Sequence, residues 1–214
     1  MSKIAVIDYG MGNLHSVAKA LEKVGATDVV VTNDADAIRN ADKVMLPGVG
    51  AIRDCMSELQ RLELVDVIKE TASTKPFLGV CLGMHALMGH SDENDGIDCL
   101  DIVSGNVRRF AEGLTDDQSG ERLKIPHMGW NEVFQMHAHP LWKNIKDGSR
   151  FYFVHSYYVE PATPDVVAGS TPYGGPFTSV IARDNVFAVQ FHPEKSQHAG
   201  LQLLENFCSW NGNA

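Results

Sequence analysis

The first part of the chain alternates short apolar runs with amphipathic segments. The runs have the length of buried strands, and we predict strands at residues 3–7, 29–31, 44–46 and 77–80. In the segments between them, apolar residues recur every three or four positions. This spacing predicts a helix capped by Asn13, a short helix at 36–39 and a long helix from about 51 to about 71. Apolar strands that alternate with helices predict a mostly parallel sheet with helices on both faces.

The second part of the chain has a different pattern. Short apolar runs are separated by turn residues, and we predict strands at 107–110, 133–134, 151–158, 166–169, 179–182 and 187–190. Such strands pair most simply as antiparallel hairpins, one of which turns at Arg183-Asp184-Asn185. A final amphipathic helix is predicted at 199–210. No linker or repeat interrupts the pattern, so we expect residues 1–214 to form a single domain.

Composition and charge narrow the class of protein. The chain has 214 residues, of which 44% are hydrophobic and 21% charged, and its net charge is -9. An acidic chain without a basic stripe is a poor ligand for nucleic acid or an anionic membrane. The four cysteines lie far apart. The first residues have the pattern of a strand and not the long apolar stretch of a signal peptide, and no apolar run reaches membrane-spanning length. We therefore expect free thiols in a reducing, cytoplasmic setting.

The most informative stretch is Gly79-Val80-Cys81-Leu82-Gly83, which follows a predicted strand and precedes a helix-like run. A strand, a tight turn and a helix form the nucleophile elbow of many hydrolases, and small residues beside the nucleophile make room for the turn. A cysteine at a helix N-terminus is favoured as a thiolate. We therefore interpret Cys81 as a nucleophile, with the amide of Leu82 directed at an oxyanion beside the sulfur.

A second candidate lies far downstream, where the last predicted strand ends. His192 and Glu194 stand two residues apart in Gln190-Phe191-His192-Pro193-Glu194. A thiol nucleophile needs a base, and the base needs a group that orients it. If the fold brings this segment to Cys81, the sequence predicts a Cys–His–Glu triad.

Other motifs are weaker. The turn at 47–50 follows a strand and can donate backbone amides to an oxyanion, whereas Gly10-Met11-Gly12-Asn13 lacks the spacing of a dinucleotide site and is interpreted as a tight turn. No Gly-x-Ser-x-Gly motif supports a serine hydrolase. His127, His137 and His139 lack a convincing further ligand and are interpreted as surface histidines, so we expect no metal and no cofactor.

Taken together, these motifs make the chain resemble the class I (triad) glutamine amidotransferases over nearly its full length. Within them, it resembles the glutaminase subunits of imidazole glycerol phosphate synthase. Besides the elbow, the resemblance rests on LPGVG at 46–50, PHMGWN at 126–131, YFVHSY at 152–157 and QFHPEKS at 190–196. It implies a three-layer, flavodoxin-like α/β fold with the nucleophile at the carboxyl end of a central, mostly parallel sheet.

The resemblance also implies roles for individual residues. Cys81 would attack the side-chain amide of glutamine, His192 would transfer the proton, Glu194 would orient His192, and the amides of Val49 and Leu82 would bind the oxyanion. The implied glutamine-binding residues are Gly50, His85, Glu93, His155, Ser156 and Tyr157. The implied partner is a (β/α)8-barrel cyclase subunit that receives ammonia and makes imidazole glycerol phosphate and AICAR in histidine biosynthesis. The implied contact residues for this partner are Asn13, Trp130, Tyr152 and Lys195.

One residue departs from the family pattern. The family usually carries glutamine after Cys-Leu-Gly-Met, and this chain carries His85. We favour the interpretation that His85 is a tolerated substitution. If it contacts the substrate instead, glutamine binding should change between about pH 6 and 7.5, because an imidazole can still form a hydrogen bond but titrates near neutrality. Two other functions stay open: an amidotransferase subunit for a sugar synthase of surface polysaccharides, and a non-catalytic regulatory subunit. A hydrolase of the same fold would leave the motifs at 126–131 and 155–157 unexplained.

Overall fold

A computed structural model describes residues 2–116 and 119–213. The first part alternates strands and helices, as the apolar pattern predicts. Its elements are β1 Lys3–Ile7, α1 Leu14–Lys23, β2 Asp28–Thr32, α2 Ala35–Arg39, β3 Lys43–Leu46, α3 Ile52–Arg61, α4 Val65–Thr74, β4 Phe77–Val80 and α5 Leu82–Ala86. The second part contains β5 His90–Ser91, β6 Ile97–Asp98, β7 Gly105–Arg109, β8 His127–Gln135, β9 Ser149–His155, β10 Tyr157–Pro161, β11 Val167–Pro172, β12 Pro176–Arg183, β13 Val186–Val189 and α6 Gln197–Ser209.

The centre of the sheet is parallel. Its order is β2-β1-β3-β4-β13, and each of these neighbours is paired in parallel. Beyond β13 the sheet continues with the antiparallel neighbours β12, β10 and β7, then β5 and β6. The last strand of the chain therefore lies beside β4, the strand that leads into the elbow. This pairing brings the segment after β4 and the segment after β13, which are far apart in sequence, to one edge of the sheet.

Helices cover both faces of the sheet because its strands are apolar on both sides. In β1, Ala5 and Ile7 belong to the core under α3, α4 and α5, whereas Ile4 and Val6 belong to the core under α1 and α6. All four side chains are at most 1% exposed. The resulting three layers confirm the predicted α/β fold with a mostly parallel sheet. In the part of the chain that the structure describes, no helix combines the length and apolar character needed to cross a membrane.

The prediction of one helix from about 51 to about 71 is wrong. The segment is two helices, α3 and α4, separated at Glu63, which has a left-handed backbone with φ of 57°. The amide of Leu64 bonds to the carbonyl of Leu59, which closes α3 with a Schellman-type cap, and the Leu64 side chain is fully buried. Glycine usually occupies the left-handed position of such a cap, and glutamate there gives no sequence signal of a break.

The antiparallel region is confirmed in outline, with one correction. β11–β12 and β12–β13 are hairpins, and Asp184 and Asn185 form the second turn as predicted. The predicted strand at 151–158 is two strands, β9 and β10, which separate at Ser156. They separate because β9 pairs with β8, whereas β10 pairs with β7 and β12, so the chain must change direction between them.

Candidate active site

Cys81 lies in a strained turn between β4 and α5. Its backbone has φ of 52° and ψ of -109°, a conformation that L-residues rarely adopt and that is typical of functional strain. The amide of Cys81 bonds to the carbonyl of Val189 in β13 at 2.8 Å, which fixes the turn to the neighbouring strand. A Cβ atom on Gly83 would lie 1.9 Å from the carbonyl oxygen of Leu46, so glycine is required there. The strand-turn-helix predicted from the motif is present.

The parallel pairing of β4 with β13 brings His192 and Glu194 to the same edge of the sheet as Cys81. His192 Nδ1 lies 3.0 Å from Glu194 Oε1, and both side chains are 3% exposed. Since a carboxylate only accepts, Nδ1 is the donor, and the other ring nitrogen, Nε2, carries the lone pair of the neutral ring. Among the described residues, His192 Nε2 and Glu194 Oε2 are buried without a hydrogen-bond partner. The first of these atoms is the one a general base would use.

The electrostatics of His192 suit proton transfer. Burial disfavours the charged imidazolium, but the interactions of the ring with the Cys81 sulfur and with the Glu194 carboxylate together outweigh burial and raise the pKa of His192. The thiolate and the carboxylate therefore both stabilise a protonated ring. An imidazole between a thiol and a buried carboxylate can accept a proton and keep it until a leaving group needs it.

The predicted oxyanion loop lies on the other side of β4, because β3 is the parallel neighbour there. The amide of Leu82 donates to the carbonyl of Gly48 at 3.4 Å. That carbonyl belongs to the same peptide as the amide of Val49, and the two groups of a trans peptide point in opposite directions. The Val49 amide therefore points away from the Leu82 amide. Both residues line the active-site cavity, but their two amides do not form a donor pair in this structure.

A cavity of about 260 Å³ opens beside the sulfur. It is lined by Val49, Gly50, Cys81, Leu82, His85, Glu93, Val154, His155, Ser156, Tyr157 and His192. The six predicted glutamine-binding residues are thus brought together around Cys81, on four separate segments of the chain. Glu93 projects from a 3-10 turn, where its Oε2 accepts from the amide of Ile52 at 3.4 Å. Burial raises the pKa of Glu93, although the Ile52 amide opposes this shift.

His155 is part of a buried row of hydrogen bonds rather than a free ligand. Its Nδ1 donates to the carbonyl of Tyr157 at 2.8 Å, so its Nε2 accepts from His127 Nδ1 at 2.9 Å. His127 Nε2 accepts in turn from the side-chain amide of Asn131 at 3.3 Å. The row holds strand β8 to the start of β10 and leaves both rings neutral. Burial lowers the pKa of both histidines, that of His127 to about 4.

The interpretation of His127 and His139 as surface histidines is wrong. They are 4% and 7% exposed, because His127 stacks between Tyr173 and Phe153 and His139 packs against Phe187. His137, by contrast, is exposed. Within residues 2–116 and 119–213, no group of three or more His, Cys, Asp or Glu side chains is arranged to bind a metal ion. Aromatic residues at 153, 173 and 177 were the available signal that the region of His127 is a core.

His85 lines the cavity, but its environment differs from the expectation. Its Nε2 bonds to Oε1 of Gln190 at 2.7 Å, and the side chain is 4% exposed. Burial lowers the pKa of His85 to about 4, and the bond to Gln190 only partly opposes this shift. The expected titration of His85 between about pH 6 and 7.5 is therefore wrong. Sequence reasoning gave no role to Gln190, which is fully buried and has its Nε2 3.8 Å from the sulfur of Cys81.

The four predicted partner-contact residues lie on the surface near the catalytic loop, by which we mean the turn after β13 at residues 192–195. Trp130 in β8 is opposite Tyr152 in β9, with ring centroids 6.1 Å apart, and Trp130 is 39% exposed. The carbonyl of Tyr152 accepts from the amide of His192 at 2.9 Å. Lys195 is exposed three residues beyond His192, and Asn13 is exposed at the start of α1, which contacts the turn that carries Lys195.

Comparison with known proteins agrees with the geometry. Residues 5–209 match the family described as glutamine amidotransferase class-I. The chain is 57% identical to imidazole glycerol phosphate synthase subunit HisH of Pseudomonas putida, over 99% of both chains. It is 58% identical to the HisH subunit of Methylococcus capsulatus, over 98% of this chain and 97% of the other.

Solved structures share the fold at much lower identity. The structure of PurLQS from Thermotoga maritima matches with a TM-score of 0.72 at 16% identity, covering 98% of this chain and 99% of that chain. The glutaminase domain of Trypanosoma brucei CTPS matches with a TM-score of 0.62 at 15% identity, covering 99% and 95%. On the family match and the identities, this chain belongs to the class I glutamine amidotransferases and, within them, to the HisH subunits of imidazole glycerol phosphate synthase.

Proposed function

We propose that the chain hydrolyses glutamine to glutamate and ammonia at Cys81 and supplies the ammonia to a (β/α)8-barrel cyclase subunit. In histidine biosynthesis that partner makes imidazole glycerol phosphate and AICAR. The whole of residues 1–214 acts as one catalytic unit. The observation that carries the chemistry is the edge of the sheet at which Cys81, at the end of β4, meets His192 and Glu194, just after β13.

The geometry supports an ordered reaction. His192 Nε2 takes the proton of the Cys81 thiol, and the sulfur attacks the side-chain carbonyl of glutamine. The oxyanion forms beside the amide of Leu82, and collapse of the tetrahedral intermediate transfers the His192 proton to the departing ammonia. Water then attacks the thioester with the same base, which releases glutamate and the free thiol. Glu194 keeps His192 in the tautomer that makes Nε2 the base.

The cavity supports glutamine as the substrate. A carboxylate, that of Glu93, lines one part of it, where the α-ammonium group of an amino acid would be neutralised. Ser156 and Tyr157 line another part, where the α-carboxylate of the substrate would lie. His85 contributes an imidazole edge next to the nucleophile. The space between these groups and the sulfur suits a short chain ending in an amide.

The surface near the catalytic loop supports a partner at Asn13, Trp130, Tyr152 and Lys195. A half-exposed tryptophan facing a tyrosine is the kind of aromatic anchor that is enriched at interfaces. The backbone bond from His192 to Tyr152 joins this surface to the catalytic base. A partner that covers the Trp130–Tyr152 pair would therefore lie next to the segment that carries His192.

The decisive experiment is Cys81→Ala in complex with the barrel subunit that co-purifies with the chain. Glutamine-dependent synthesis should be lost by at least about 1,000-fold, because removal of a nucleophile costs orders of magnitude. Ammonia-dependent synthesis should be kept, because the barrel needs only ammonia. Cys208→Ala, which changes a cysteine in α6 outside the site, is the matched control and should keep both activities. A Cys81→Ala complex that retains glutaminase turnover, or a partner that makes a polysaccharide sugar, would overturn the proposal.

A further inference from the structure

The side chain of Gln190 is held between His85 and the nucleophile. Gln190 directly follows β13, and the parallel register places Val189 opposite Val80, so residue 190 lies beside residue 81. Its Oε1 is 2.7 Å from His85 Nε2, and its Nε2 is 3.8 Å from Cys81 Sγ. Gln190 is fully buried and His85 is 4% exposed, so water does not compete for these contacts. The three residues form a continuous row from α5 to the sulfur.

With the amide oxygen of Gln190 placed on His85, the bond between them fixes the tautomer of the ring. An amide oxygen only accepts, so His85 must donate from Nε2, which makes it the neutral Nε2–H tautomer. With its oxygen fixed on His85, the amide of Gln190 must turn its NH2 group towards Cys81. A rotated amide would direct an oxygen at the sulfur and repel a thiolate. His85 therefore determines which end of the amide faces the nucleophile.

We propose that His85 is a positioning residue, which fixes the amide of Gln190 so that its N–H group stabilises the Cys81 thiolate. This inference deepens the proposed function and rests on it for the role of Cys81 as nucleophile. It gives Gln190 a direct contact with the reacting sulfur and makes His85 act through Gln190. A hydrogen bond donated to a thiolate favours the ionised form, and loss of the bond favours the thiol.

Other titratable groups near the row bear on any measurement of the sulfur. His192 and Tyr9 both interact electrostatically with Cys81, and Glu194 accepts a hydrogen bond from Nδ1 of His192. His155 lies within electrostatic range of both His85 and His192. None of these side chains changes in the variants below, so their effect is common to every profile.

The test is the pH dependence of alkylation of Cys81 by iodoacetamide in the full-length chain, followed by site-resolved mass spectrometry to separate Cys81 from Cys55, Cys99 and Cys208. Gln190→Leu should move the midpoint of the profile upward by about one pH unit, the scale of one lost hydrogen bond to a charged group. Gln60→Leu, which changes an exposed glutamine in α3, is the matched control and should leave the midpoint in place.

The His85 variants separate positioning from packing. His85→Leu should raise the midpoint in the same direction as Gln190→Leu, because the amide of Gln190 is then free to rotate. His85→Gln should keep the wild-type midpoint, because its amide can still donate to Gln190 Oε1. In the double variant His85→Leu/Gln190→Leu, the midpoint should equal that of Gln190→Leu alone, since His85 acts only through Gln190.

Two results would overturn the inference: an unchanged midpoint in Gln190→Leu, or a His85→Leu shift of the same size when Gln190 is already leucine. If circular dichroism shows that Gln190→Leu does not fold, the comparison of His85→Leu with His85→Gln takes its place. Equal alkylation midpoints in these two variants would refute the positioning role, and a raised midpoint in His85→Leu alone would support it. The assay contains no glutamine and no partner. A failure of glutamine hydrolysis would therefore count against the proposed function, whereas the alkylation midpoints would still test the positioning role of His85.

Discussion

The amide of Leu82 donates a hydrogen bond to the carbonyl of Gly48 at 3.4 Å. A backbone carbonyl thus occupies the side of the nucleophile where an oxyanion needs a second donor. The peptide that carries this carbonyl also carries the amide of Val49, so rotation of that one peptide would exchange an acceptor for a donor. Glycine on both sides of Val49 makes such a rotation inexpensive, and Gly50 already has φ of 99°. In the structure the Leu82 amide therefore bonds to the Gly48 carbonyl and the Val49 amide points away, so the two expected oxyanion donors are not aligned.

This arrangement predicts a slow free subunit. Absence of one oxyanion donor lowers turnover by roughly 100- to 1,000-fold, so the isolated chain should hydrolyse glutamine at least about 100 times more slowly than the ligand-loaded complex. The measurement is the steady-state release of glutamate by the chain alone and by the complex. Glutamine affinity, measured on both with Cys81→Ala, should be similar, because the missing donor acts on the transition state. Comparable turnover in the two samples would refute the idea.

His85 should not make glutamine binding pH-dependent near neutrality. Its pKa is lowered to about 4 by burial, so the ring stays neutral throughout pH 6 to 8. We expect the pH profile of KM for glutamine to have the same shape in the wild-type chain and in His85→Gln. Changes that arise from Cys81 and His192 would be present in both. An inflection between pH 6 and 7.5 that disappears in His85→Gln would contradict the buried, neutral ring.

The buried histidines should make the fold sensitive to acid. Burial lowers the pKa of His85, His127 and His139 to about 4 and lowers that of His155 well below its ordinary value. The unfolded chain protonates these four rings below about pH 6.5, whereas the folded chain does not. The stability that the four neutral rings contribute is therefore complete above that pH and is lost as the pH falls towards about 4.

Thermal unfolding of the free chain at intervals from pH 8 to pH 4.5 tests this expectation. The midpoint temperature should fall steeply below pH 6. His139→Phe removes one buried imidazole in an aromatic setting away from the cavity and should flatten the slope. His15→Phe changes an exposed histidine and should not. Identical slopes in the two variants would show that burial of His139 is not responsible.

Glu63→Gly should stabilise the chain. Glu63 closes α3 with φ of 57°, a backbone that costs an L-residue about 1–2 kcal/mol, whereas glycine adopts it freely. After the greater entropy of glycine in the unfolded chain is subtracted, we expect a gain of about 0.5–1 kcal/mol in the free energy of unfolding. Denaturant titration measures it, with Ser57→Gly as the control. Ser57 is exposed within α3, so glycine there should destabilise; a loss of stability in Glu63→Gly would refute the cap.

The sequence alone determined the parts of this protein that depend on local pattern. Short continuous runs of apolar residues predicted the strands of the parallel region, because a buried strand has to be apolar on both faces. The spacing of glycines around Cys81 predicted the elbow, because the tight turn excludes side chains at Gly83. The same local reasoning failed at Glu63, where a non-glycine residue takes a left-handed backbone and leaves no mark in the pattern.

Only the tertiary structure decided which of these parts meet. The order β3-β4-β13 places the loop at 47–50 on one side of Cys81 and His192 on the other. The pairing of β4 with β13 joins residues that are more than a hundred positions apart, so it depends on packing that no local pattern records. Burial is likewise a property of the folded chain. It made His85 a neutral donor to Gln190 instead of a titrating ligand. It also placed His127, which was expected on the surface, in the hydrogen-bonded row that holds β8 to the start of β10.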